Sequence, residues 1–387
     1  MRMCVSADTA CRNNDKNHNR MKTTVSHEIR RRVFAWLALP LFSLLPFGCM
    51  EKPQAGGDDP APSGGDGLFI LSEGSFNSGN ASLSYYDPAD RSVENEVFYR
   101  ANGQRLGDTG QSMTYHDGVL WVVVNGSHVI FAVDPVTFRE KGRVTAPELT
   151  SPRCIRFVTD EKAYVTQLFD SRILIVDPST YSVTGTIETG MDQGSASTEG
   201  IVMIGNDVFV NCWSYQKSVL KIDSSTDEIV ASLEVGVQPE SVCADAFGRL
   251  WALTDGGAWE GNPAGYEAPK LVRIDPESFT VETEILFNLG DGLSELQTDA
   301  SGENLYFLRN GDVWKMSASA SELPSGPFID ADGNPYSFTV SPETGEIYVS
   351  DAVDYQQNGA VVRYSAEGVR EDEFTVGICP GSFCWAY

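Results

Sequence analysis

Histidine is scarce in this 387-residue chain: of four, only His116 and His128 lie beyond residue 48. Two isolated imidazoles give neither the clustered ligands of a zinc site nor a ready acid–base pair. No HExxH, GxSxG, phosphate-binding loop or GxGxxG stretch is present. The usual signatures of metalloproteases, serine hydrolases and nucleotide-binding enzymes are therefore missing. Positive charge is scarce too. Residues 1–48 hold 8 Lys and Arg against 3 Asp and Glu, so the remainder carries 20 against 51. Such a surface repels nucleic-acid phosphates and anionic lipid headgroups, and serves solubility or, as the alternative, attracts cations. Helical periodicity is absent after residue 48, which makes the body read as all-β.

What the chain does have is repetition. Gly118 to Val144 contains two β-branched and aromatic runs, Leu120–Val124 and Val129–Val133, separated by Asn-Gly-Ser and closed by Asp134-Pro135 before a third extended run. Runs of that length between turn residues read as consecutive antiparallel strands. The same ending recurs as LSYYDP at Pro88, ILIVDP at Pro178, VLKID at Asp223 and LVRIDP at Pro276. Weaker copies end at Met316 and Tyr364, where Ser replaces Pro. Anchors at 87, 134, 177, 223, 275, 316 and 364 lie 41 to 52 residues apart. Several strands per repeat at that period predict a seven-bladed β-propeller of four-stranded blades over residues 68–387.

The second blade phases as A (Gln111–Tyr115), B (Leu120–Val124), C (Val129–Val133) and D (Phe138–Val144), with later A strands starting near Pro152, Glu199, Pro239, Ser294, Tyr336 and Ser382. Leu68–Ser72 is then a B strand with no A strand before it, and Ser382–Tyr387 an A strand with no blade after it. The two are expected to pair and close the ring, which removes exposed sheet edges.

Strand direction sorts the loops. A-to-B turns such as His116-Asp117-Gly118 and Glu343-Thr344-Gly345 are short and polar, so the end they share with the C-to-D turns reads as structural. The opposite end gathers the B-to-C and D-to-A loops. There lie Phe169, Trp213, Tyr215, the long Asp255–Pro269 insertion with Trp259 and Tyr266, and Tyr355. Loop aromatics have no core-forming period and suit recognition, although packing between neighbouring loops is the plainer alternative. The D-to-A entries add Gln111, Arg153, Glu199, Glu240, Glu295 and Tyr336 around the ring axis. We take Phe169, Arg153, Trp213, Tyr215, Glu240, Trp259, Tyr266, Tyr336 and Tyr355 as candidate ligand contacts, with no catalytic residue, metal or cofactor. A carboxylate cluster of Glu199, Glu240 and Glu295 holding a cation is the minority reading.

Five cysteines follow Cys49, an odd number without a CxxC pair. Cys154, Cys243 and Cys384 fall in expected A strands as buried thiols, whereas Cys379 and Cys384 could alternatively bridge and pin the closing strand. The leader, residues 1–48, has Arg30-Arg31-Arg32 before the apolar run Val33–Phe47, the layout of a secretion signal too short to span a bilayer. Met21 is the more usual start for such a signal. Leu44 to Cys49 resembles a bacterial lipobox, which implies lipidation of Cys49 instead of an ordinary cleaved signal, and residues 49–67 read as a flexible tether. Glu51, close behind that cysteine, resembles the surface-export signal of Bacteroidota lipoproteins.

The DP-ended strands, and the Gly and Pro before the next blade in Val235-Gly236-Val237-Gln238-Pro239, resemble the YVTN or YncE-type seven-bladed propellers. The opening Ile70-Leu71-Ser72-Glu73-Gly74-Ser75-Phe76, then Asn80 to Asp87, with a lipidated leader, is similar more narrowly to the BtuG-type surface lipoproteins of Bacteroidota. That resemblance implies a protein on the outer membrane, facing the exterior, that binds cobalamin and passes it to a TonB-dependent transporter without chemistry. Glycan binding or protein docking is the alternative, and a propeller lyase or cyclase a third.

Overall fold

The computed structural model describes residues 64–386. The leader, Cys49, most of the tether and Tyr387 lie outside the described residues. Seven antiparallel sheets follow one another along the chain, six of them ordered A to D from the ring axis outward and the sixth blade A to C. The A strands of successive blades touch in sequence, and the last touches the first, so the ring is closed. Closure is made by Pro380–Trp385 lying beside Leu68–Ser72, with Leu68 opposite Trp385 and Ile70 opposite Phe383. The closing strand starts two residues earlier than its sequence suggested.

Seven hydrophobic clusters hold the ring, one at each junction between neighbouring blades. Both faces of every inner sheet are therefore covered, and this explains why B strands such as Val119–Val124 and Leu250–Thr254 are buried almost throughout instead of alternating. Outer D strands, Glu228–Glu234 among them, have one face in water and alternate.

The recurring aspartate has a local cause. At each C-to-D turn its carboxylate accepts backbone N–H groups two or three residues on: Ala89 to Asp87 at 2.8 Å, Thr137 to Asp134 at 2.8 Å, Ser179 to Asp177 at 2.8 Å, Ser225 to Asp223 at 2.8 Å and Ser278 to Asp275 at 2.7 Å. Four residues after each Asp the backbone turns left-handed, at Arg91, Phe138, Tyr181, Asp227 and Phe279. The turn is an Asx turn, followed in blades two to five by a bulge in the C–D pairing. In blades six and seven Ser317 and Ser365 take the same place, their hydroxyls accepting from the N–H of Ser319 and Glu367 at 3.2 Å. Serine thus replaces the aspartate of the repeat, and not the proline as the sequence pattern suggested.

Two further departures are local. Val97–Asn102 forms a short helix, α1, in an otherwise β body, because Val97 and Phe98 bury against blade two, with the Phe98 ring 5.0 Å from that of Phe131. Blade six has three strands, ending at Asp312–Ser317; its fourth position is a single bridge between Val313 and Ile329. Pro324 and Pro327 in the connecting segment cannot donate to a ladder. Cys154, Cys212, Cys243 and Cys384 are thiols, so the alternative Cys379–Cys384 bridge is not formed. Burial pushes Cys154 up to about 11 and Cys212 to about 12, which makes them poor nucleophiles at neutral pH.

Candidate functional site

At the end of the ring shared by the B-to-C and D-to-A loops, the A-strand entries form a polar ring around the axis. Arg153 is buried, its Nε donating to Glu199 Oε2 at 2.7 Å and its Nη1 to Gln111. Further round, the Glu295 N–H donates to Glu240 Oε2 at 3.1 Å and Ser337 to Glu295 at 2.8 Å. Tyr336 donates to Glu73 at 2.9 Å. Each link joins neighbouring blades, so these groups hold the mouth in shape. Arg153, expected as a ligand contact, is engaged by both neighbours and only 4% exposed. Among the described residues, no three His, Cys, Asp or Glu side chains are placed to hold a metal ion, and Glu199, Glu240 and Glu295 do not come together as a cluster.

The aromatic candidates divide into two groups. Over blades four and five, Tyr215 and Trp259 meet edge to face with ring centroids 6.3 Å apart, and both are exposed, Trp259 by 47%. Half-buried Trp213 lies in the same loop as Tyr215 and donates its indole N–H to Asp255 at 2.9 Å. Tyr266 is also exposed, and its hydroxyl lies near Gly290 of the next D-to-A loop. Over blade seven, Tyr355 and Tyr336 pack edge to face at 5.8 Å. Phe169 is exposed on blade three and joins neither pair. Phe169, Tyr215 and Tyr355 all have left-handed backbones, near φ 60°. Such backbones are costly for bulky residues and persist where surrounding structure enforces them.

What enforces the geometry is a network that sequence reasoning missed. Gln238, buried at the entry to blade five, donates to Asp255 Oδ2 at 2.9 Å and accepts from Asn262 at 2.8 Å and from the Tyr215 N–H at 3.3 Å. Asp255 also accepts from the Gly257 N–H at 2.7 Å. The insertion that carries Trp259 is thereby tied to the loop that carries Tyr215. Burial pushes the Asp255 carboxyl up to about 6, against the pull of hydrogen bonds from Trp213, Gly257 and Gln238. At Asp170, beside Phe169, burial acts the same way, but hydrogen bonds from Arg172 outweigh it and hold the carboxyl below its ordinary value. Gln238 stands within Val237-Gln238-Pro239-Glu240, a stretch that reads as a plain turn. Only a buried glutamine opposite a long insertion could have signalled its part.

Residues 66–376 match the family model described as a domain of unknown function (DUF5074). No curated protein matches the chain. Among solved structures, the fold is similar to a quinonprotein alcohol dehydrogenase-like protein from Bacteroides thetaiotaomicron, with TM-score 0.62 and 14% identity over 83% of this chain and 78% of that one. A candidate 6-phosphogluconolactonase from Bacteroides uniformis gives TM-score 0.60 and 13% identity over 83% and 100%. A protein from Lactobacillus plantarum gives 0.61 and 11% over 83% and 99%. Likeness at these identities shows the propeller fold alone.

Proposed function

We propose a function from the premise that the chain belongs to the DUF5074 family and folds as a seven-bladed propeller: it captures a small-molecule ligand at the mouth without turning it over. The observation that carries this reading is the exposed Tyr215–Trp259 pair mounted on the buried Gln238–Asp255–Asn262 network. A rigid aromatic platform beside a ring of hydrogen-bonding groups loses little conformational entropy on binding.

The ligand we propose is cobalamin, on the resemblance of the first blade and leader to the BtuG-type lipoproteins. Cobalamin is a large, neutral, amide-fringed disc, which needs broad aromatic contact and many hydrogen-bond partners and no acid–base chemistry. In this reading Cys49 is lipidated, the tether lifts the propeller from the outer surface of the outer membrane, and a TonB-dependent transporter receives the ligand. A Cys49→Ala variant should then lose its acyl label and leave the membrane fraction, whereas unchanged retention counts against the anchor.

Equilibrium dialysis against cyanocobalamin tests capture. The expected result is saturable retention, with the corrinoid spectrum unchanged after release. If no corrinoid is retained and an oligosaccharide is instead bound in a manner lost in Trp259→Ala, the mouth is a glycan site.

A further inference from the structure

A cavity of about 330 Å³ lies where the first and last blades meet, on loops of the same end of the ring, and none of the candidate contacts lines it. Its polar wall is Asn80, Ser82, Asn95, Glu96, Arg105 and Asn358. The seam fixes this wall from both sides: Asn95 of blade one donates to the Thr375 carbonyl of blade seven at 3.0 Å and accepts from Ser84 at 2.6 Å. The volume is at the lower end of small-molecule sites.

The chemistry of the lining is specific in kind. One carboxylate and one guanidinium cancel in charge, and amides and a hydroxyl supply the rest, so the wall selects neither an anion nor a cation. Glu96 Oε1 and Arg105 Nη1 stand 3.7 Å apart, beyond hydrogen-bond distance, which leaves an acceptor and a donor side by side for a hydroxyl group. Arg105 is held in place over the Tyr99 ring, 5.2 Å from its centroid. Val376 and Ile378 complete the lining with an apolar wall for C–H groups.

Gly377 lines the cavity and lets Ser82 and Ser72 pack closely against the backbone. A Cβ there would lie 2.1 Å from Ser82 Oγ and 2.8 Å from Ser72 Oγ, so any side chain would displace the wall. Ser72 is fully buried beneath it, and its hydroxyl has no hydrogen-bond partner.

We propose that this seam cleft binds a neutral polyhydroxylated ligand, a mono- or disaccharide, independently of the mouth. Because its walls come from the two blades that close the ring, a bound sugar also clamps the seam, and ligand binding to the folded state alone raises its stability.

The test is titration calorimetry and thermal melting of the purified protein with glucose, galactose, N-acetylglucosamine, cellobiose and lactose, with sodium acetate as the charged control. At least one sugar should bind saturably and raise the melting temperature, and acetate should do neither. Arg105→Leu and Asn358→Leu, both on exposed or half-exposed loop positions, should each weaken that sugar at least ~10-fold. Trp259→Ala should leave it unchanged. Absence of saturable binding by every sugar overturns the proposal. So does binding that survives both seam variants and is lost in Trp259→Ala, which would put the sugar on the mouth and leave capture there intact.

Discussion

The two ends of the ring are built on different principles. At the end made by A-to-B and C-to-D turns, one device is used again and again: an aspartate or serine side chain caps its own turn, and the chain reverses in a few residues. At the other end no two loops are alike. They run from the Asn310-Gly311 turn of blade six to the Asp255–Pro269 insertion, and hydrogen bonds between loops fix them in addition to those within each loop. A turn that satisfies itself is free to repeat, and contributes stability alone. Loops that depend on one another can each differ, and this permits a shaped surface.

The comparison breaks most completely if the ring does not need its seam. A chain ending at Gly381 removes Ser382–Tyr387 and leaves the Leu68–Ser72 edge open. It also strips one side from the cluster of Leu68, Ile70, Tyr86 and Tyr348. Loss of cooperative thermal unfolding, followed by circular dichroism, is the expected outcome; a melt at the full-length temperature would refute closure as the source of stability.

A smaller effect separates the ends by pH. The Asp255 carboxyl is raised to about 6, so the folded protein holds that proton more tightly than the unfolded chain does. Its favourable contribution is complete below its ordinary value of 3.8 and is lost as pH rises through about 6. Between pH 4 and pH 7, the stability of Asp255→Asn relative to the parent should therefore shift toward the variant by on the order of 2 kcal/mol in urea melts. The turn aspartates act in the opposite sense. Hydrogen bonds from Thr137 hold Asp134 low and those from Ser179 hold Asp177 low, so their contribution is lost only as pH falls below 3.8. A flat difference for Asp255→Asn across the window would mean that this carboxylate is not desolvated.

The smallest effect lies within the repeating end. Asp134 accepts from Val136 and Thr137, and Asp134→Ala should cost about 1 kcal/mol in the same melts. Ser365→Ala should cost less, because a hydroxyl caps its turn more weakly than a carboxylate. Equal losses would show that the charge contributes nothing to the turn.

This contrast also explains what could be read from the residues. Local devices leave local marks: the Asp-Pro endings gave the number of blades, and the orphan half-blades at Leu68 and Ser382 gave the closure. Where the mark weakened, at Ser317 and Ser365, the phase slipped by one position. Helix α1 is six residues long, too short to show a 3.6-residue period beside the strands. At the mouth, aromatic side chains were visible because they fall where no core can use them. Their support was not: Gln238 joins residues 17, 23 and 24 positions away, and Arg153 meets Gln111 and Glu199 across two blade junctions. A charged residue at the axis reads as available from sequence, and only the packed ring shows that its neighbours already hold it.

The central claim is that the irregular end is where a ligand is held. Titration calorimetry with cyanocobalamin addresses it directly. One saturable site is expected on the parent protein, weakened more than ~10-fold by Trp213→Ala and by Tyr355→Ala, since removing a buried aromatic anchor costs over ~2 kcal/mol at a hot spot. Asp117→Ala and Glu343→Ala, on the repeating end, should leave it unchanged. Binding that is insensitive to the aromatic variants but lost with Asp117 or Glu343, or no corrinoid binding at all, would contradict the account.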